Sequence, residues 1–146
     1  MSAPLPGSAA RISRTAEPRA MLRRFLALDS LVTTGNGLAY LAFSAPLGRL
    51  LGVGQGLLLG LGVLLVLYGA AVGLLASRRR PPAFAVRCVI ETNYAWAAVS
   101  LASLFLWFSP TAAGAGWIPA QAFVVAAFAV LQQLSLRAAQ AGSGVQ

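Results

Sequence analysis

The chain contains no histidine, a single cysteine and only three acidic residues, Glu17, Asp29 and Glu91; all of its basic residues are arginine, so lysine is missing as well. Each shortage removes a class of chemistry. Without histidine there is no Ser-His-Asp triad and no His-bearing zinc or haem site. Without lysine there is neither a Walker A loop nor a Schiff base. Cys88 has no partner for an intramolecular disulfide, and it reads as a small buried apolar residue. The glycines of GVGQG (Gly52, Gly54, Gly56) do not continue as a dinucleotide fingerprint, because Leu57 stands where the last glycine belongs and no strand pattern precedes them.

What is abundant is apolar. Hydrophobic residues make up 58% of the 146 positions and charged ones 10%. A soluble domain of this length cannot hide so much apolar surface, so the excess must face lipid. The net charge is +8. Most of the arginines cluster in short runs flanking apolar segments, which fits a membrane surface better than nucleic acid. The complete preference for arginine over lysine points to a GC-rich, bacterial coding genome.

The sequence divides into a disordered tail over 1–20, a transmembrane domain over 21–138 and a short tail over 139–146. The run after the first tail is too long for the apolar core of a signal peptide and carries Asp29. Four apolar segments follow, about 25–44, 55–76, 83–108 and 117–136, each near the ~20 residues that cross a hydrocarbon core. They lack the alternation of barrel strands, so the expected fold is all-α: a polytopic membrane protein with four transmembrane helices. Arg23 and Arg24 before the first segment, and Arg78, Arg79 and Arg80 between the second and third, mark the membrane-surface basic clusters. By the positive-inside rule both termini are expected in the cytoplasm, at a bacterial inner membrane, with the 45–54 and 109–116 loops outside. Trp107, Phe108 and Trp117 then fall at the outer interface, where amphipathic rings prefer to sit.

The four segments read as two helical hairpins in tandem. One register superposes Leu28-Asp29-Ser30 on Ile90-Glu91-Thr92, and a competing one aligns Asn36 with Asn93, so a true duplication stays open.

Polar residues inside apolar helices are costly and should turn toward one another. On the first helix Asp29, Thr33, Asn36 and Tyr40 form one stripe; on the third, Arg87, Glu91 and Tyr94 form another. The two stripes are expected to face each other as an intramembrane network, with Arg87 reaching Asp29 and Glu91. Two carboxyls against one guanidinium leave a deficit, to be balanced by a retained proton, a bound cation, or a snorkelling Arg23 or Arg24. Asn93, Trp96, Ser100, Ser103 and Trp107 cover a different face of the third helix, which can meet Gln121, Gln132 and Gln133 of the fourth. Gly52, Gly56 and Gly60, then Gly69 and Gly73, have the spacing that lets helices approach closely.

The runs DSLVTTGNGLAYLAFSAPLGRLLGV (29–53) and RPPAFAVRCVIETNYAWAAVSL (80–101) resemble those of small, uncharacterised four-helix integral membrane proteins of high-GC, actinobacterial-type bacteria. The resemblance covers about residues 22–138 and implies the same fold and membrane location, with no catalytic residue to transfer. Small multidrug transporters share four helices and an acidic residue in the first. This chain departs from them in its length, in the position of Asp29 and in carrying Arg87 and Glu91. The expectation is therefore a non-enzymatic membrane component with no cofactor and no metal, acting through helix packing or a partner. Its partners would be the lipid bilayer and either a second copy of the chain or another membrane protein. A proton- or cation-coupled carrier of a small solute is the alternative, and a lipid-directed enzyme is the weakest reading.

Overall fold

Prolines and glycines set the helix ends. The computed structural model describes residues 6–106 and 109–144, with side chains from residue 16 onward. Within that range every regular element is a helix: α1 (Pro6–Ala42), α2 (Ser44–Leu51), α3 (Gln55–Ser77), α4 (Ala83–Leu106) and α5 (Ala112–Ser143). Of these, α3, α4 and α5 are long and apolar enough to cross a membrane. The longest helix, α1, is diluted by Asp29, Thr33, Thr34 and Asn36, so three of the four expected spans have that character by composition.

Two sequence expectations change here. The stretch expected as a disordered tail is helical from Pro6, because its alanines and arginines favour helix and simply extend α1 backward, through Pro18. At the other end α5 runs on to Ser143, past the expected boundary at 138. The loop between the first two spans also holds a short helix, α2. It ends at Gly52, whose φ of +73° is the left-handed cap that glycine adopts without strain.

The packing is that of two hairpins. α1 packs along α3, α4 packs along α5, and α1 meets α5 to join the pairs, whereas α3 and α4 touch only marginally. Backbones come close between α1 and α3. A Cβ added to Gly37 would stand 2.9 Å from the Gly62 carbonyl oxygen and 2.9 Å from the Val66 nitrogen. Gly69 and Gly73 face Ser30 and Thr34, and the Ser30 hydroxyl donates to the Gly69 carbonyl at 2.6 Å. Of the glycines singled out by spacing, Gly69 and Gly73 therefore pack a neighbour. At Gly56 and Gly60 a methyl group would meet nothing within 4 Å, and Gly52 serves the turn. The close contact that spacing missed is Gly37 with Gly62, on different helices.

The apolar core has two parts. Leu22, Leu26, Val72, Val86, Ile90 and Leu136 fill the arginine-rich end, where Arg19 of α1 meets Ser143 of α5; Tyr40, Leu58 and Leu65 fill the end near α2. At the α2 end the start of α5 closes the bundle: the Thr111 hydroxyl donates to the Leu50 carbonyl and accepts from the Gly114 amide at 3.2 Å. One residue therefore caps α5 and satisfies a terminal carbonyl of α2. Trp107 and Phe108 lie outside the described residues.

Candidate functional site

Asp29 is the most deeply buried acidic residue, at 1% exposure, and its surroundings are built from all four long helices. On α1, Thr33 lies one turn further along and its hydroxyl donates to Asp29 Oδ1 at 3.1 Å. From α4, Asn93 Nδ2 donates to Asp29 Oδ2 at 2.7 Å, and from α5, Gln132 Nε2 donates to the same oxygen at 2.7 Å. The two amides also meet, Asn93 Nδ2 lying 3.3 Å from Gln132 Oε1. From α3, the Tyr68 hydroxyl donates to Asn93 Oδ1 at 3.0 Å.

Local sequence explains why these side chains converge. Asn93 sits on the buried stripe of α4 with Val86, Val89, Ile90, Ala97 and Ser100, and Gln132 on that of α5 with Ala122, Ala129, Leu136 and Ala139. Both stripes are small or apolar apart from the amides, so the helices close on the polar group and bury the Asp29 carboxyl. No buried side-chain nitrogen or oxygen among the described residues lacks a hydrogen-bond partner. That is the condition under which a buried polar cluster is tolerated.

The donors to Asp29 are all neutral. Arg87 and Glu91 are exposed and line a groove between α4 and α5 with Gln133, Arg137 and Gln140, a cavity of about 260 Å³. The expected pairing of Arg87 with Asp29 is therefore not what the structure has. The reason is angular: position 91 lies about 200° from position 93 around the helix, so burying Asn93 turns Glu91 outward. Tyr94 stays beside that groove, its hydroxyl donating to Gln133 Oε1 at 3.1 Å. Cys88, expected to be buried, is exposed on the same outward side of α4.

The rest of the α1 stripe forms a second polar layer. Trp117 Nε1 donates to the Tyr40 hydroxyl at 3.1 Å, which donates to Gln121 Oε1 at 3.3 Å. Asn36 lies between the two layers, half-buried. Arg23 turns back to the bundle, its Nε donating to the Ala76 carbonyl at 3.1 Å, while Arg24, Arg78, Arg79 and Arg80 are exposed. Between the layers is a cavity of about 250 Å³, walled by Thr33, Asn36, Tyr68, Asn93, Trp96 and Gln121 among others. An adjoining cavity of about 210 Å³ shares Trp96, Trp117 and Gln121 with it and runs toward α2. Leu64 of α3 and Thr92 of α4, both exposed, stand on the rim of the first, on the side where those helices part.

Chemically, the Asp29 cluster can hold a carboxylate by dipoles alone, and the cavity beside it offers aromatic walls with a few amides and hydroxyls. No group of three or more His, Cys, Asp or Glu side chains converges among the described residues. Sequence reasoning missed Tyr68 and the junction of Asp29 with Asn93 and Gln132, although it had set Asn93 and Gln132 on facing helix surfaces. Comparison with protein-family models, with curated proteins and with solved structures finds no match to this chain.

Proposed function

We propose that this is a four-span integral protein of a bacterial inner membrane, with both termini in the cytoplasm, that works as a non-enzymatic membrane component. In this reading α1 is the fourth span. Its polar residues are acceptable in lipid because Asp29 and Tyr40 turn to neighbouring helices and Thr33 bonds Asp29, and the arginines gather at the end that would face the cytoplasm. The observation that carries the proposal is the Asp29 cluster: one carboxylate tied by neutral donors to α4 and α5 fixes the register of the helices that hold the two hairpins together. Labelling of single cysteines placed at 20, 50 and 144 in a Cys88→Ser background, in sealed inner-membrane vesicles of known sidedness, tests it. Positions 20 and 144 should react from the cytoplasmic side and position 50 from the outer side; positions 20 and 50 on the same side would mean that α1 does not cross and would defeat the four-span reading.

A second reading, a cation-coupled carrier, is favoured by the cavity of about 250 Å³ that reaches Thr33 and Asn93, both bonded to Asp29. A carrier needs a site near the bilayer midplane and an ionisable group that binding can address. Proteoliposomes with an imposed pH gradient separate the two readings. Solute-dependent proton flux that is lost in Asp29→Asn, with the protein still folded, supports the carrier. Absence of flux, with Asp29→Asn altering only stability, leaves the component reading.

A further inference from the structure

We propose that the groove between α4 and α5 at the arginine-rich end binds the phosphate of an anionic phospholipid. The inference rests on the membrane reading above, and it concerns a surface that reading does not use. Arg87 and Arg137 stand on opposite walls of this groove, with Gln133 and Gln140 beside them. A second groove of about 370 Å³ continues from it through Leu136 and Gln140, and adds Arg19 and Arg80. Guanidinium groups from α1, the 78–82 connection, α4 and α5 thus converge on one end of the bundle, and among the described residues Glu91 is the only carboxylate lining either groove.

The surplus cannot be absorbed internally. Asp29, the one acid in the interior, is already saturated by Thr33, Asn93 and Gln132. Arg87 lies about 6 Å from the start of α4, at about the level where headgroup gives way to hydrocarbon. A guanidinium at that level is stabilised by an anion that comes to it, and its planar fork matches two phosphate oxygens. Basic pockets between spanning helices on the cytoplasmic side are suited to such headgroups. The surroundings select a lipid over free phosphate. Val130 and Leu134 of α5 are exposed on the side of Arg137 that leads away from the arginine-rich end, so acyl chains would have an apolar wall to lie against.

The full chain in nanodiscs of phosphatidylcholine, with and without phosphatidylglycerol, tests this through the lipid retained after extraction, read by native mass spectrometry. Phosphatidylglycerol should be retained over phosphatidylcholine, and each of Arg87→Gln and Arg137→Gln should weaken that preference about fivefold. Arg49→Gln, on α2 at the far end, should leave it unchanged. Arg87→Lys with Arg137→Lys keeps the charge and loses the fork, so it should fall between the wild type and the double glutamine variant. Equal retention of the two lipids overturns the proposal, as does an unchanged preference in the double variant. Displacement of the lipid by millimolar inorganic phosphate would also overturn it, since the site would then be one for a soluble anion. If the chain fails to enter nanodiscs at all, the membrane reading fails first, a result distinct from an absent lipid preference.

Discussion

Asp29 and Glu91 are carboxylates on two helices of one bundle, and they meet opposite fates. Asp29 is sealed between helices with a neutral donor at every contact, while Glu91 faces outward beside Arg87 and Arg137. The contrast shows that an acid in an apolar helix does not need an arginine. It needs enough donors, and amides supply them without bringing a second charge to desolvate.

The comparison can be broken most forcefully at its buried member. Asp29→Leu strands the amide donors of Asn93 and Gln132, and at about 1–3 kcal/mol for each unsatisfied group it should lower stability in detergent the most, measured by thermal or SDS-induced unfolding. Gly69→Leu comes next: it forces a side chain into Ser30 and Thr34, costs about 1–3 kcal/mol of overpacking, and should loosen α1 from α3 while sparing the carboxylate cluster. Tyr68→Phe removes only the hydroxyl that supports Asn93 and should cost about 1 kcal/mol; a cycle with Asn93→Ala should show that the two effects are coupled. Glu91→Gln is the sharpest control. It should stay within about 0.5 kcal/mol of the parent, and a loss as large as that of Asp29→Leu would mean that Glu91 also turns inward.

Much of the architecture was legible from the residues. The all-helical character and the apolar segments that become α3, α4 and α5 follow from composition, and α3 and α4 begin at the expected positions 55 and 83, the latter just after Pro81 and Pro82. The site was half legible. Helical periodicity put Asp29, Thr33 and Tyr40 on one stripe, and they do share the interior. It could not choose which face of α4 that stripe would meet. Formal charge favoured the Arg87–Glu91 face, but the small and apolar company of Asn93 decided the packing, because burying Val86, Ile90 and Ala97 contributes more than an exposed ion pair could. Glycine spacing failed for a related reason. Regular intervals along α3 ignore which residues of α1 lie opposite, so Gly60 looked useful and is not, while Gly62 is pressed against Gly37. The mix of Pro, Ser, Ala and Arg without apolar periodicity in the first twenty positions suggested disorder, yet a segment attached to an existing helix extends it without paying for a new nucleus.

The marginal contact between α3 and α4 bears on how the molecule is put together. What unites the halves is α1 against α5, so the arginine-rich connector at 78–82 tethers them without bracing them. Cutting that connector should leave two insertable fragments able to find each other in the bilayer, their match encoded in Asp29 and Tyr40 on one piece and in Asn93, Trp117, Gln121 and Gln132 on the other.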